Sequence, residues 1–90
     1  MITSEHIQTL MKTSKIAVSR IGEKTTVVSM TLPNGFEIVE TVTETEATFD
    51  AELSKKKCLK LIEDKIYLLE SYVLCTLQYI GNELTKPVKL

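Results

Sequence analysis

Ninety residues with 43% hydrophobic and 26% charged side chains make one small globular domain and exclude a disordered chain. A domain of this size buries only roughly 60–65% of the surface its unfolded form exposes, so its core is thin and a partner subunit is a common source of extra stability. A net charge of −1 provides no general attraction to nucleic acid or to anionic membranes.

Thr3 is suited to cap a helix, and Glu5 falls in the first turn, where the helix dipole favours negative charge. Ile7, Leu10 and Met11 follow at helical spacing, so residues 3–13 read as a short amphipathic helix. His6 lies on its first turn, with no cysteine or carboxylate at ligand spacing, and reads as a surface residue.

From Lys15 the pattern turns to strands. Ile16 and Val18, the run Thr25–Leu32 and the run Phe36–Val42 predict three antiparallel strands with one apolar and one polar face. Ile21-Gly22-Glu23-Lys24 and Pro33-Asn34-Gly35 are the turns between them. Thr41–Thr48 alternates threonine and glutamate, which suits an exposed edge or a solvated connection.

No glycine or proline interrupts the chain from Asp50 to Ile80. That run predicts a helix of about 45 Å unless it breaks near Asp64. Thr48 or Asp50 caps it, Gly81 is expected to stop it, and Pro87 lies in a short tail. In its first half Leu53, Leu61 and Ile62 are expected to form the apolar stripe, with Lys55, Lys56, Lys57 and Lys60 around them. From Ile66 to Ile80 apolar residues surround the axis, and such a helix must be covered on every side. A small sheet and one short helix cannot do this, so a second protomer is expected. The fold class is therefore α+β and oligomeric: a small antiparallel sheet, a short N-terminal helix and one or two long C-terminal helices. A single domain spans 1–90, with helix and sheet over 1–48, a helical oligomerisation region over 49–81 and a tail over 82–90.

Cys58 and Cys75 fall in the long helix, about 25 Å apart at ~1.5 Å per residue, too far for a disulfide. Both read as reduced packing residues of a cytosolic chain. No run approaches the ~20 apolar residues of a membrane span, and residues 1–6 lack the order of a secretory signal.

Catalytic signals are weak. No zinc-ligand spacing, phosphate loop, nucleophile elbow or stacked carboxylate pair occurs, so no enzyme, metal or cofactor is expected. The lysine run reads as a solvated face balanced by Glu52, Glu63 and Asp64, or as a phosphate attractor. Arg20 is the one arginine and ends a strand beside Gly22. Its planar guanidinium suits bidentate phosphate contact and base stacking. With Lys24 and Thr25 it would present two cations and a hydroxyl around one turn, unless it pairs with Glu37 or Glu40 on a neighbouring strand. Asn34 and Phe36 offer an amide for a base edge and a ring for stacking. The plainer reading of that pair is a turn followed by the first core residue of a strand.

Three blocks then stand out: Thr31-Leu32-Pro33-Asn34-Gly35-Phe36, Thr48-Phe49-Asp50-Ala51-Glu52, and Ile66-Tyr67-Leu68-Leu69-Glu70-Ser71-Tyr72-Val73-Leu74. In order and spacing they resemble the TLxNGF, FDxExG and KIWxLEGYxL-like blocks of a family of small bacteriophage proteins. From Lys24 to Leu74 the chain resembles the Thoeris anti-defence one proteins within it. That resemblance implies a phage sponge that sequesters cyclic nucleotide immune signals, glycocyclic ADP-ribose or cyclic trinucleotides, without cleaving them. It thereby implies inhibition of Thoeris or CBASS defence in the cytoplasm of the infected host. It also implies a small sheet with C-terminal helices, assembled as dimers or as hexamers built from dimers. Neither DNA nor a membrane is expected as a partner, given the charge balance and the lack of a long apolar run. Tyr67 stands where relatives carry tryptophan, Ser71 where they carry glycine, and Glu44 and Ala47 where a cysteine-containing stretch is common; these departures bear on ligand choice. The rival classes are a structural or regulatory protein that binds a host protein through its helical surface, and a nucleic-acid module using the lysines. The charge balance disfavours the latter.

Overall fold

Thr3 caps the first helix as expected, its hydroxyl oxygen accepting from the His6 amide at 3.1 Å. In the computed structural model, which describes residues 2–45 and 50–85, this helix is α1 (Ser4–Thr13). β1 (Lys15–Ile21), β2 (Thr25–Thr31), β3 (Glu37–Thr43) and α2 (Ala51–Thr85) follow. The α+β build and the antiparallel sheet of order β1-β2-β3 match the expected class. Both turns use a glycine in the left-handed region, Gly22 at φ 68° and Gly35 at φ 90°, where a side chain would be strained.

α2 is one uninterrupted helix of 35 residues, about 52 Å long. It does not break at Asp64, and Gly81 does not stop it. A helical glycine costs about 1 kcal/mol relative to alanine but still donates its N–H, unlike proline, and Gly81 keeps a negative φ. Asp50 is the cap, its carboxylate accepting from the amides of Glu52 at 3.0 Å and Leu53 at 3.2 Å. Thr48, the alternative cap, lies outside the described residues, as do Ala47, Phe49 and Pro87.

The buried stripe of α2 is Ser54, Cys58, Ile62 and Ile66. The expected stripe of Leu53, Leu61 and Ile62 is corrected: Leu53 and Leu61 are both exposed. Residues four apart stack on one helix face, whereas Leu61 and Ile62 are a quarter-turn or more apart. This stripe packs on β2 and β3 and encloses Val28, Met30, Leu32 and Ile38, with Ile7 of α1 closing the side.

Among the described residues two surfaces remain uncovered. β1 lies beyond the helix and is exposed at every residue. After Ile66 no described residue of α2 is buried, although Leu69, Val73, Leu77, Ile80 and Leu84 prolong the face that carries Ile62 and Ile66. The helix runs past the sheet's end with its core face bare. Among the described residues no helix is long and apolar enough to cross a membrane.

Candidate functional site

Alternation along the strands decides what each polar residue can reach. In the β1–β2 ladder Val18 stands opposite Val28 and Arg20 opposite Thr26. Val28 and Thr26 are buried beneath α2, and residues directly opposite one another share a face. Val18 and Arg20 therefore look toward the helix side of the sheet. Since β1 overhangs α2, a cleft of about 410 Å³ opens there, lined by Val18, Ser19, Arg20 and Thr26 from the sheet and by Ala51, Glu52 and Lys55 from the first turns of α2.

Two cations, Arg20 and Lys55, and one carboxylate, Glu52, thus line a space with an apolar wall. Arg20 donates from Nη2 to the Glu23 carbonyl across the turn. Glu37 and Glu40, its alternative partners, stand on β3, with β2 between that strand and β1. Lys24 lies in the turn. Thr25 is on the opposite face, opposite Ile21, where its hydroxyl meets that of Thr43 at 2.9 Å. The expected cluster of Arg20, Lys24 and Thr25 does not form on one face.

Asn34 and Phe36 lie at the other end of the sheet. Asn34 Oδ1 accepts from the Phe36 amide at 3.0 Å, so the amide side chain shapes the turn. Phe36 precedes β3 and is exposed at 52%, so it is not the first core residue of the strand; Ile38 is. Its ring lines two adjoining grooves of about 330 and 230 Å³ against Leu68, Leu69 and Val73 of α2. The two ends are one strand apart, about 20 Å, so Arg20 and Phe36 of one chain do not reach the same small ligand.

The lysines divide by position. Lys57 pairs with Glu44 at 2.5 Å, Lys65 with Glu40, and Lys60 with Asp64 at 3.3 Å and Glu63 at 3.8 Å. Lys55 alone of the run lines the Arg20 cleft. His6 lies 3.5 Å from Glu70 and ties α1 to α2. Cys58 is buried and its Sγ lies 3.7 Å from the Thr26 carbonyl. Burial pushes its thiol pKa up, and the negative charge of Glu40 adds to this. Cys75, expected to pack, is exposed: its stretch of α2 lies beyond the sheet and, among the described residues, is not covered. Among the described residues, no three of His, Cys, Asp and Glu gather where they could hold a metal ion.

Of the residues that line this cleft, Arg20 and, within the lysine run, Lys55 stand out in the sequence as phosphate-attracting candidates, whereas Val18 and Thr26 stand out only as strand residues. The parity of Arg20 with Ile16 and Val18 was a legible sign of its face. Lys55 is brought there only by the packing of α2 on the sheet.

Over residues 1–77 the chain matches a family described as phage protein (N4 Gp49/phage Sf6 gene 66). No curated protein and no solved structure matches it.

Proposed function

Because the chain belongs to the phage protein (N4 Gp49/phage Sf6 gene 66) family, we propose that it works for the phage as an anti-defence sponge. In the cytoplasm of the infected host it holds a cyclic nucleotide immune signal, glycocyclic ADP-ribose or a cyclic trinucleotide, and leaves it uncleaved. The observation that carries this reading is the Arg20–Lys55 cleft. Its volume of about 410 Å³ falls in the range of small-molecule sites, roughly 300–1,000 Å³. Arg20 brings a guanidinium charge that suits a phosphate, Lys55 adds a point charge, and Val18 gives a base or ribose an apolar wall. Sequestration needs affinity alone, so no nucleophile or general base is required of the site. The resemblance of the TLPNGF-type and LESY-type blocks to the anti-defence sponges supplies the ligand class.

Asn34 and Phe36 take a different place in this reading. They form a second, stacking contact at the far end of the sheet, for a separate ligand or for one shared between chains. Titration calorimetry with glycocyclic ADP-ribose and a panel of cyclic di- and trinucleotides tests the proposal. Absence of binding by every member at micromolar protein would sink it.

The bare outer half of α2 favours a second reading. Leu68, Tyr72 and Tyr79 are exposed on one side of it, a surface suited to a host protein. Under that reading Tyr72→Ala abolishes activity against defence, and Arg20→Ala does not.

A further inference from the structure

β1 hydrogen-bonds β2 along one edge, and no element among the described residues pairs with the other. Exposed strand edges of this kind are usually blunted by charge, proline or a bulge. β1 has none of these at its centre: Val18 is the middle residue of Lys15–Ile21, flanked by Ala17 and Ser19. On the helix side of the sheet, where residues should be covered, Ile16 and Val18 are 46% and 47% exposed.

We propose that β1 pairs antiparallel with β1 of a second copy of this chain, about a two-fold axis at Val18. All seven residues then find partners. Val18 faces its own counterpart, Ile16 faces Arg20, Ala17 faces Ser19, and Lys15 faces Ile21. No cation stands opposite a cation, which would be destabilising. A one-residue slip sets Lys15 against Arg20 and turns the second sheet over, away from its shared apolar side. The opposite edge of the sheet cannot do the same, because Glu40 is the middle residue of β3 and would oppose its own copy.

The pairing merges two three-stranded sheets with both α2 helices on one side. Ile16 and Val18 of both copies floor the gap between those helices, and the two Arg20 clefts open into it. The pairing stands without the ligand reading above; only the use of that shared groove rests on it. An interface at β1 is also distinct from the bare face of α2, and a two-fold contact at one joined to a second contact at the other is how dimers assemble into larger closed oligomers.

Cysteine cross-linking of the full chain tests the register without any nucleotide. Cys75→Ser removes the exposed thiol, and Val18→Cys or Ile16→Cys is placed in that background. Paired at the axis, the Val18 Cα atoms lie about 4.5–5.5 Å apart, within reach of a disulfide. Ile16 and its copy lie about 13 Å apart, out of reach. The expected result is covalent dimer from Val18→Cys under mild oxidation and at least 10-fold less from Ile16→Cys. Equal yields, or none from Val18→Cys, overturn the proposal. Hydrogen exchange on the unmodified protein covers any variant that misfolds. Protection of all the β1 amides supports the pairing, and fast exchange at alternate β1 amides, as in a free edge, overturns it. A strand of another protein seated on this edge overturns it equally.

Discussion

Arg20 and Thr25 flank the same turn yet stand on opposite faces of the sheet, Arg20 opposite Thr26 and Thr25 opposite Ile21. The pleat separates them: an even-numbered step along the ladder keeps a face and an odd one changes it. Arg20 shares its cleft with Lys55, while Thr25 exchanges a hydrogen bond with Thr43 on the far side.

Arg20→Ala is therefore expected to weaken cyclic-nucleotide binding by roughly 10- to 150-fold, the loss of a charge-assisted contact worth ~1.5–3 kcal/mol. Lys55→Ala acts in the same direction, and Thr25→Val leaves affinity unchanged. Calorimetric titration of the three variants checks this. Equal losses in Arg20→Ala and Thr25→Val would return both residues to one site.

The fourfold spacing of the core stripe predicts a sharp contrast between neighbours. Ile62→Ala, at a position with 0% exposure, should cost about 2–5 kcal/mol in urea unfolding. Leu61→Ala, on the exposed side, should stay within about 0.5 kcal/mol. Similar costs would mean that the helix is rotated relative to this packing.

Gly81 and Gly22 should respond to alanine with opposite signs. Gly81 lies inside α2 with nothing within 4 Å of an added Cβ, so Gly81→Ala should stabilise the helix by about 0.5–1 kcal/mol. Gly22 has φ 68°, so Gly22→Ala should destabilise by about 1–2 kcal/mol. Thermal melts report both. A destabilised Gly81→Ala would place another chain's backbone against that glycine.

Assembly through α2 is expected from the bare run Leu69, Val73, Leu77, Ile80 and Leu84. Leu69→Glu or Val73→Glu would bury an unpaired carboxylate in such an interface and should lower the mass in sedimentation equilibrium. A native protein that sediments as a single chain at micromolar concentration would refute this.

Holding without cleaving has a stoichiometric signature. Neutralised signal should rise linearly with protein and saturate at a fixed ratio per chain, and heat denaturation should release intact ligand for chromatography. Hydrolysed or linearised product that grows with time at catalytic protein concentrations would make the protein an enzyme.

Local patterns carried most of the fold. Thr3 and Asp50 are hydroxyl and carboxylate caps, Gly22 and Gly35 are turn glycines, and the β-branched run in β2 alternates between buried and half-buried residues. Each is set by forces within a few residues, so the sequence by itself determined the element types, their order and the bare apolar helix. Tertiary structure decided the rest. Whether Leu61 or Ile62 meets the sheet depends on how α2 is rotated, which the packing of Cys58 and Ile66 on Val28 and Met30 sets. That Lys55 joins Arg20 while Thr25 leaves it depends on the strand register and on α2 lying over β2 and β3 but not β1. Side chains more than 30 residues apart meet only where close packing of a shared core fixes both backbones, and no local preference encodes that geometry.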